Sequence, residues 1–509
     1  MKTTKRTLLL LLAVFLCAFV RAALAADGSD LERRVKTYTL KNGIKVLMLE
    51  RHISPTISFY IRHRTGAVDE PDGKTGMAHF LEHMMFKGTK TIGTKDYRKE
   101  KPLLAEIRKI GRRLDGERKK GKNAEAGRIK ALSGELAELQ KKHGQWMISN
   151  EIDRLYTENG GLNMNGSTGQ DLTTFQVSLP ANKLELWARI ESDRMMNPVL
   201  REFYTERDVI MEEKRQRTES NPDGKLAEQF YAEAFAAHPY RRPVIGWGAD
   251  IPLLSMDDME TFIARLNAPE NTVLTLVGDI NPTKAIRTID RYFGKIPRRK
   301  FAPIPVPSEP QQKKERRLKI TDDSQPRIMI GYHKPAMPSF EDYVMDVVEA
   351  VLDKGRTSRL YKKLIEETGL AETAYVSGGL PGSRYSNLFV IYARPRFPHT
   401  AEEIEKAVYG EIERLKTEPV PEQELEKVKN RMKADFIKSL DTNSGLASSL
   451  SYYECLLGDY RYLTRHAQMI EKITPADIMT AVNKYLTGEN RTVAVMCPAV
   501  RISEKDLNP

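Results

Sequence analysis

The stretch that most constrains the chain is Gly76-Met77-Ala78-His79-Phe80-Leu81-Glu82-His83-Met84-Met85-Phe86. It reads H-x-x-E-H inside an apolar run free of proline and β-branched residues, which predicts a buried or half-buried helix. On a helix, His79 and His83 project from one face, one turn above the other. That spacing suits two imidazoles sharing one zinc ion. Glu82 lies three residues after His79 and next to His83, so it reaches the ion's open position without having to ligate it and is placed to act as a base. A lone buried histidine is ordinarily a satisfied core residue. Here two imidazoles and a carboxylate sit among Phe80, Leu81, Met84 and Met85, and their burial is costly unless something compensates their charge and hydrogen bonding. A metal ion does so.

At 509 residues the chain is too long for one core and calls for at least two domains. Lys2, Lys5 and Arg6, the apolar run from Leu8 to Val20 and the small-x-small Ala23-Leu24-Ala25 make residues 1–25 a secretory signal peptide. Its apolar part is too short for a stable anchor, and the residues before Cys17 disfavour lipid attachment. No other stretch approaches the roughly 18 apolar residues of a span. The mature chain is therefore expected to be exported without stable membrane insertion, periplasmic in a Gram-negative cell and secreted otherwise. Cys455 and Cys497 remain, enough for one disulfide whose formation the sequence leaves open.

The formal charge of +12 falls to +8 once Lys2, Lys5, Arg6 and Arg21 leave with the signal segment. Residues 98–144 hold 15 Lys and Arg against 7 Asp and Glu, again +8, so the rest of the mature chain is close to neutral. No nucleic-acid-binding module is visible, and no nucleic-acid partner is expected.

Alternating residues either side of Asn42-Gly43 predict a β-hairpin, followed by a strand at Thr56 to Arg62 that feeds the His79 helix. Apolar residues at helical spacing make 98–144 a helical hairpin with charged outer faces, with Gly121 and Gly127 between its halves. Its plain reading is a solvated insertion; the sharper one is a lid or docking arm. Asn163 to Thr168 and Thr173 to Leu179 form a strand pair, and Leu184 to Met196 and Phe203 to Lys214 form helices. Glu206 and Glu213, seven apart, share a face of the latter. Two such acids are commonly a solvated ion-pair stripe, but beside a two-histidine site that lacks a third ligand they become candidates for it. Asn271 to Asp279 is a buried strand. Prolines and charges at 301–317 mark a linker. Beyond it the order of elements repeats: a strand at Arg327 to Tyr332, a helix at Phe340 to Leu352, and a closing Tyr485, Asn490 and Thr492 to Met496 that mirrors Leu266, Asn271 and Val273 to Val277. The fold class is α+β, built from two homologous domains at 30–300 and 318–505, each a mixed or antiparallel sheet with helices packed on one face. Only the first copy carries H-x-x-E-H.

These residues resemble the pitrilysin or insulinase family of zinc peptidases, the inverzincins, which includes the β-subunit of mitochondrial processing peptidase. The likeness runs through His79 to Gly88, Asn165 to Thr168, Glu206 to Glu213, Pro243 to Gly246, Asn271 to Asp279 and Ser358-Arg359-Leu360, nearly the whole mature chain. It implies a zinc-dependent endopeptidase with one zinc per chain held by His79, His83 and Glu213, with Glu206 supporting the site and Glu82 as general base. Asn165 falls where the family's edge strand receives the substrate backbone, which favours unfolded peptides. The hairpin at 98–144 lengthens the gap between His83 and Glu213.

One departure bears on partners. Family members that act alone carry an Arg and, seven residues on, a Tyr in the second-half helix after Ser-Arg-Leu, and these hold substrate opposite the zinc. Here Ile365 and Glu372 stand in those places. The resemblance then implies a heterodimer with a homologous zinc-free subunit that supplies the Arg and Tyr, with a homodimer as the alternative. Two other readings are a catalytically inactive binding or scaffold subunit of the same fold and a zinc hydrolase acting on something other than peptides.

Overall fold

The computed structural model describes residues 30–298 and 304–498. The signal segment at 1–25, with Cys17, lies outside the described residues. The chain opens with β1 (Lys36–Thr39) and β2 (Lys45–Glu50), antiparallel about the Asn42-Gly43 turn, then β3 (Thr56–His63) and α1 (Met77–Met85), the helix of the histidine motif. The basic segment forms α2 (Tyr97–Arg118) and α3 (Ala126–Gly144); Gly127 lies inside α3 rather than in the turn. Next come β4 (Leu162–Thr168), β5 (Thr173–Pro180), a helix at Leu184–Met196, α4 (Phe203–Lys214), α5 (Pro222–Ala234) and β6 (Thr272–Gly278). The second sheet holds β7 (Arg316–Thr321), β8 (Arg327–Lys334), β9 (Ala371–Leu380), β10 (Asn387–Pro395) and β11 (Arg491–Cys497). Within it, α6 (Phe340–Asp353) follows β8 and α7 (Asn443–Leu457) precedes β11.

The first sheet runs β1-β2-β6-β3-β5-β4 and the second β7-β11-β8-β10-β9. With β1 set aside the two orders match strand for strand, and in both the only parallel pair is the corresponding one, β2 with β6 and β7 with β11. The duplication expected from the order of elements is therefore present in the topology.

Side-chain alternation explains how the two copies are fastened. On β2, Val46 and Met48 enter the core beneath the first sheet's own helices, while Leu47 and Leu49 point to the other face. There they meet Leu446, Ala447 and Leu450 of α7, a helix from the second copy. The exchange is mutual, since Leu226, Phe230 and Ala234 of α5 cover Met329, Leu388 and Val390 of the second sheet. A Cβ on Gly331 would sit 2.5 Å from the Phe230 ring, so the glycine makes room for α5. Strands buried on both faces read as near-continuous apolar runs, as Val273 to Val277 does apart from the buried Thr275. The helical layer expected on one face of each sheet is thus joined by a helix from the opposite half on the other.

The stretch read as a linker at 301–317 is tied down where it is described. The Glu309 carboxylate accepts the backbone N–H groups of Ala236, Ala237 and His238, Gln312 donates to the carbonyls of Glu489 and Arg491, and β7 already begins at Arg316. Cys455 and Cys497 are free thiols, Cys455 buried in α7. Among the described residues no helix is long and apolar enough to cross a membrane.

Candidate metal centre

Two helices build the site. On α1, His79 and His83 stack one turn apart with ring centroids 4.7 Å from each other. On α4, Glu206 and Glu213 stand two turns apart and face them. His79 Nε2 lies 3.7 Å from Glu213 Oε1 and His83 Nε2 lies 3.5 Å from Glu213 Oε2. Among the described residues His79, His83 and Glu213 form the one group of three metal-ligating side chains whose donor atoms all fall within 4.8 Å of one another. Ligands at zinc bond lengths of about 2.0–2.1 Å in a tetrahedron stand roughly 3.3–3.4 Å apart, so the spacing fits that ion with little movement.

The electrostatics suit ligation. Burial pushes His79 down to about 3, with His83 and Arg217 adding to the effect, so its imidazole is neutral and free to donate a lone pair. Its Nδ1 is buried without a hydrogen-bond partner. At His83 burial opposes the charged form, but the hydrogen bond from Nδ1 to Glu206 Oε1 at 2.9 Å and the surrounding carboxylates outweigh it and raise the pKa. Glu206 in turn is lowered: burial works against its ionisation, and the bonds to His83 and to Lys87 Nζ, 2.6 Å away, overcome it. Glu206 therefore orients His83 from behind, the part a carboxylate plays next to a metal-bound imidazole.

Glu82 sits beside this group. Burial raises its pKa, opposed by a hydrogen bond of 2.7 Å from the Thr168 hydroxyl to Oε2. Thr168 is on β4, and Gly166 lets that strand approach, since a Cβ there would lie 2.8 Å from Glu82 Oε1. Asn165 is exposed on the same strand, opposite Gln176. The structure leaves it outside the ligand cluster, on the outermost strand of the sheet.

Four contributors were given no role from the sequence, although Lys87, Gly166 and Thr168 lie within the stretches that carry the family likeness: Thr168, Gly166, Lys87 and Arg217, whose Nη2 lies 2.9 Å from Glu213 Oε1. The hairpin adds a buttress. Arg201 pairs with Glu100 of α2, both fully buried, and Arg207 of α4 pairs with Asp115 of α2 at 2.9 Å. Far from being a free arm, α2 braces the back of the helix that carries Glu213.

The place of Glu372 is a correction. Expected on the helix after Ser358-Arg359-Leu360, it lies on β9 and pairs with Arg394 at 2.9 Å. The helical turns end at Glu367, and Gly369 with φ +64° reverses the chain into the strand. Ile365 stays on the helical segment and packs against the second core.

A duplicated two-sheet chain with a His/His/Glu donor set and a free carboxylate on one copy belongs to the zinc-hydrolase type. Comparisons with known proteins make this specific. The profile described as Insulinase (Peptidase family M16) matches residues 45–116 and 145–247, and that described as Peptidase M16 inactive domain matches 254–432. The chain belongs to this family. It is 25% identical to the zinc protease PqqE of Helicobacter pylori over 91% of this chain and 93% of that one. A crystal structure of a protease from Helicobacter pylori superimposes with a TM-score of 0.77 at 25% identity, over 91% of this chain and 99% of the other. The first half of the periplasmic protease PqqL from Escherichia coli shares the fold, with a TM-score of 0.67 at 18% identity over 91% and 92%. Residues 117–144, the end of α2 and all of α3, fall in the gap of the family profile.

Proposed function

We propose that the chain is a zinc-dependent endopeptidase that hydrolyses unfolded peptides. The observation that carries this reading is the convergence of His79, His83 and Glu213 with Glu82 beside them, unligated and with its pKa raised by burial. Zinc, when bound by those three residues, supplies Lewis acidity toward water and a peptide carbonyl. Glu82 takes the proton of the attacking water and returns it to the leaving amine, with Thr168 holding its Oε2 in place. Glu206, fixed by Lys87, keeps His83 turned with Nε2 toward Glu213. An extended peptide adds to the open side of β4 near Asn165, main chain to main chain.

The absence of an Arg and a Tyr at Ile365 and Glu372 supports a second chain: a homologous zinc-free subunit that contributes them. Export to the periplasm is in keeping with the likeness to PqqL of Escherichia coli, itself described as a periplasmic protease. A purified mature chain, assayed for cleavage of a denatured protein with and without a zinc chelator, alone and mixed with such a subunit, tests both points. Chelator-sensitive cleavage only in the mixture is the expected result. Cleavage that survives complete zinc removal rules out the metallopeptidase reading, and full activity of the chain alone rules out the partner.

A further inference from the structure

The zinc-free half reaches into the metal-carrying half through the loop 381–386 between β9 and β10. Arg384 on that loop is half-buried as a residue, with its side chain only 8% exposed. Its Nη1 donates to both carboxylate oxygens of Asp69 at 3.0 and 3.3 Å, and its Nη2 donates to Asp69 Oδ2 at 3.2 Å and to the Asp171 carbonyl. Asp171 Oδ2 accepts the backbone N–H groups of Ser383 at 2.6 Å and Arg384 at 3.1 Å, and its Oδ1 accepts the Tyr240 hydroxyl at 2.6 Å. The loop is thus locked against the segment that precedes α1.

That segment ends in Glu70, which is 2% exposed. Its Oε2 accepts the N–H of Gly76 at 2.9 Å and its Oε1 that of Ala78 at 2.7 Å. α1 has no side-chain cap of its own, since its N-cap is Gly76. Glu70 satisfies two of the orphan donors at its first turn. Burial pushes its pKa up to about 8, opposed by these two backbone bonds, so the clamp rests on its acceptor geometry and not on charge. The next residue after this clamp is His79. Gly76 has φ +86°, and a Cβ on it would meet the Ile245 carbonyl at 2.5 Å, so the turn has no room to drift.

We propose that Arg384 and Glu70 are positioning residues for the metal centre: the zinc-free half, through Arg384 on Asp69, holds the loop whose Glu70 fixes the first turn of α1, and thereby sets the metal affinity of His79, His83 and Glu213. This rests on the metal-site reading above. It gives the second copy a part to play in the first copy's site.

The test uses the full mature chain and the variants Glu70→Gln, which offers one acceptor to two N–H groups, Arg384→Met, and the double variant. Two quantities are read: hydrogen exchange of the peptide covering the start of α1 in metal-free protein, and zinc affinity by competition with a chromogenic chelator. Each single variant is expected to speed exchange at the first turn of α1 without speeding it in β8 and β10, and to weaken zinc roughly 10-fold. The double variant should be no weaker than the worse single, because both act in one chain of contacts. Unchanged exchange at α1, unchanged zinc affinity, or losses that multiply would each overturn the proposal. If Arg384→Met does not fold, Arg384→Lys, which keeps the charge and loses the fork, carries the same test. A wild-type chain without zinc affinity would instead overturn the metal-site reading, and the exchange measurement alone would still judge the clamp.

Discussion

α1 and α6 occupy the same place in the two copies, each following the corresponding strand, β3 or β8, and their sequences align without a gap. His79, Glu82, His83, Lys87 and Gly88 of the first correspond to Asp346, Glu349, Ala350, Lys354 and Gly355 of the second, and both glycines have positive φ, +90° and +84°. Both helices keep the acid and its link to the edge strand. Glu82 accepts from the Thr168 hydroxyl on β4, and Glu349 accepts from the Gly378 N–H on β9 at 2.8 Å. Both strands have a glycine under the carboxylate, since a Cβ on Gly166 or Gly378 would come within 2.8 or 2.9 Å of it. The imidazoles are what differ. Asp346 turns to His466 at 2.7 Å, and Ala350 offers no donor. A helix-to-edge-strand link through an acid is therefore part of the architecture, and only in the first copy do two histidines flank that acid and complete a candidate metal-binding group.

The sharpest way to break this comparison is to neutralise each acid in turn. Glu82→Gln should retain zinc and lose turnover by roughly 10²–10⁴-fold, because it removes the base and no ligand. Glu349→Gln should leave zinc content and turnover unchanged and cost about 1 kcal/mol of stability through its bond to Gly378. Zinc titration and peptide hydrolysis on both variants check the pair. Loss of zinc in Glu82→Gln would place Glu82 among the ligands.

Acid should separate the halves next. By strand register, His63 at the end of β3 opposes Thr272, and its counterpart Tyr332 on β8 opposes Arg491, each pairing with the residue after Asn271 or Asn490. Burial pushes His63 down from 6.5 to about 3, whereas burial drives the Tyr332 phenol further above its ordinary 10. Between pH 6.5 and 3 the unfolded chain takes up a proton at His63 that the folded chain refuses. Stability is therefore complete above 6.5 and falls as the pH drops, by on the order of 4–5 kcal/mol near pH 3. His333 on β8, also lowered by burial, works in the same direction, so the contrast is one of degree. Hydrogen exchange of the metal-free chain in that window should rise in β3 before β8; the reverse order would show that the two sheets do not differ in this way.

The same contrast explains what could be read from the sequence. The helix at Phe203 to Lys214 and the two-histidine candidate site were legible because H-x-x-E-H and paired acids seven apart are periodic patterns within single helices. The spacing left Glu206 and Glu213 both open, and only the family resemblance singled out Glu213, which the fold places beside His79 and His83. Val46 to Leu49 was legible as one strand of a hairpin and Asn271 to Asp279 as a buried strand, yet nothing local says that α7 of the other copy covers a face of both. Thr168, Lys87, Glu70 and Arg384 matter only through approach in three dimensions and carry no period. Glu372 was misplaced on a helix although Gly369, which ends that helix with a left-handed turn, was visible.

Adding a methyl group beneath each acid is a milder test. Gly378→Ala strikes the end of the Glu349 carboxylate and should cost only about 1 kcal/mol, whereas Gly166→Ala also meets the Phe86 ring at 2.8 Å and Glu82 Cγ at 2.9 Å and should cost about 1–3 kcal/mol. In Gly166→Ala the displaced group is Glu82, and turnover should fall on the order of 10-fold with zinc affinity retained. Gly378→Ala displaces Glu349 and should leave turnover as it was. Equal loss in both would mean that the edge strands, not the base, limit the reaction.

The smallest effect concerns a cation that the first copy aims at Glu213, one of its candidate ligands. Arg217 sits on the wide helical turn at Arg215–Glu219 that follows α4, four residues beyond Glu213, and its Nη2 is 2.9 Å from Glu213 Oε1 while the side chain is 71% exposed. In metal-free protein it competes for the oxygen that the ion needs. Arg217→Ala should therefore tighten zinc by about two- to three-fold, a modest gain because an exposed pair is worth little. Raising the ionic strength should erase the difference, since salt screens the wild-type pair and has nothing to screen in the variant. A variant that binds zinc more weakly at every salt concentration would show the opposite role, an arginine that holds Glu213 toward the histidines and so completes the asymmetry between α1 and α6 from the side of α4.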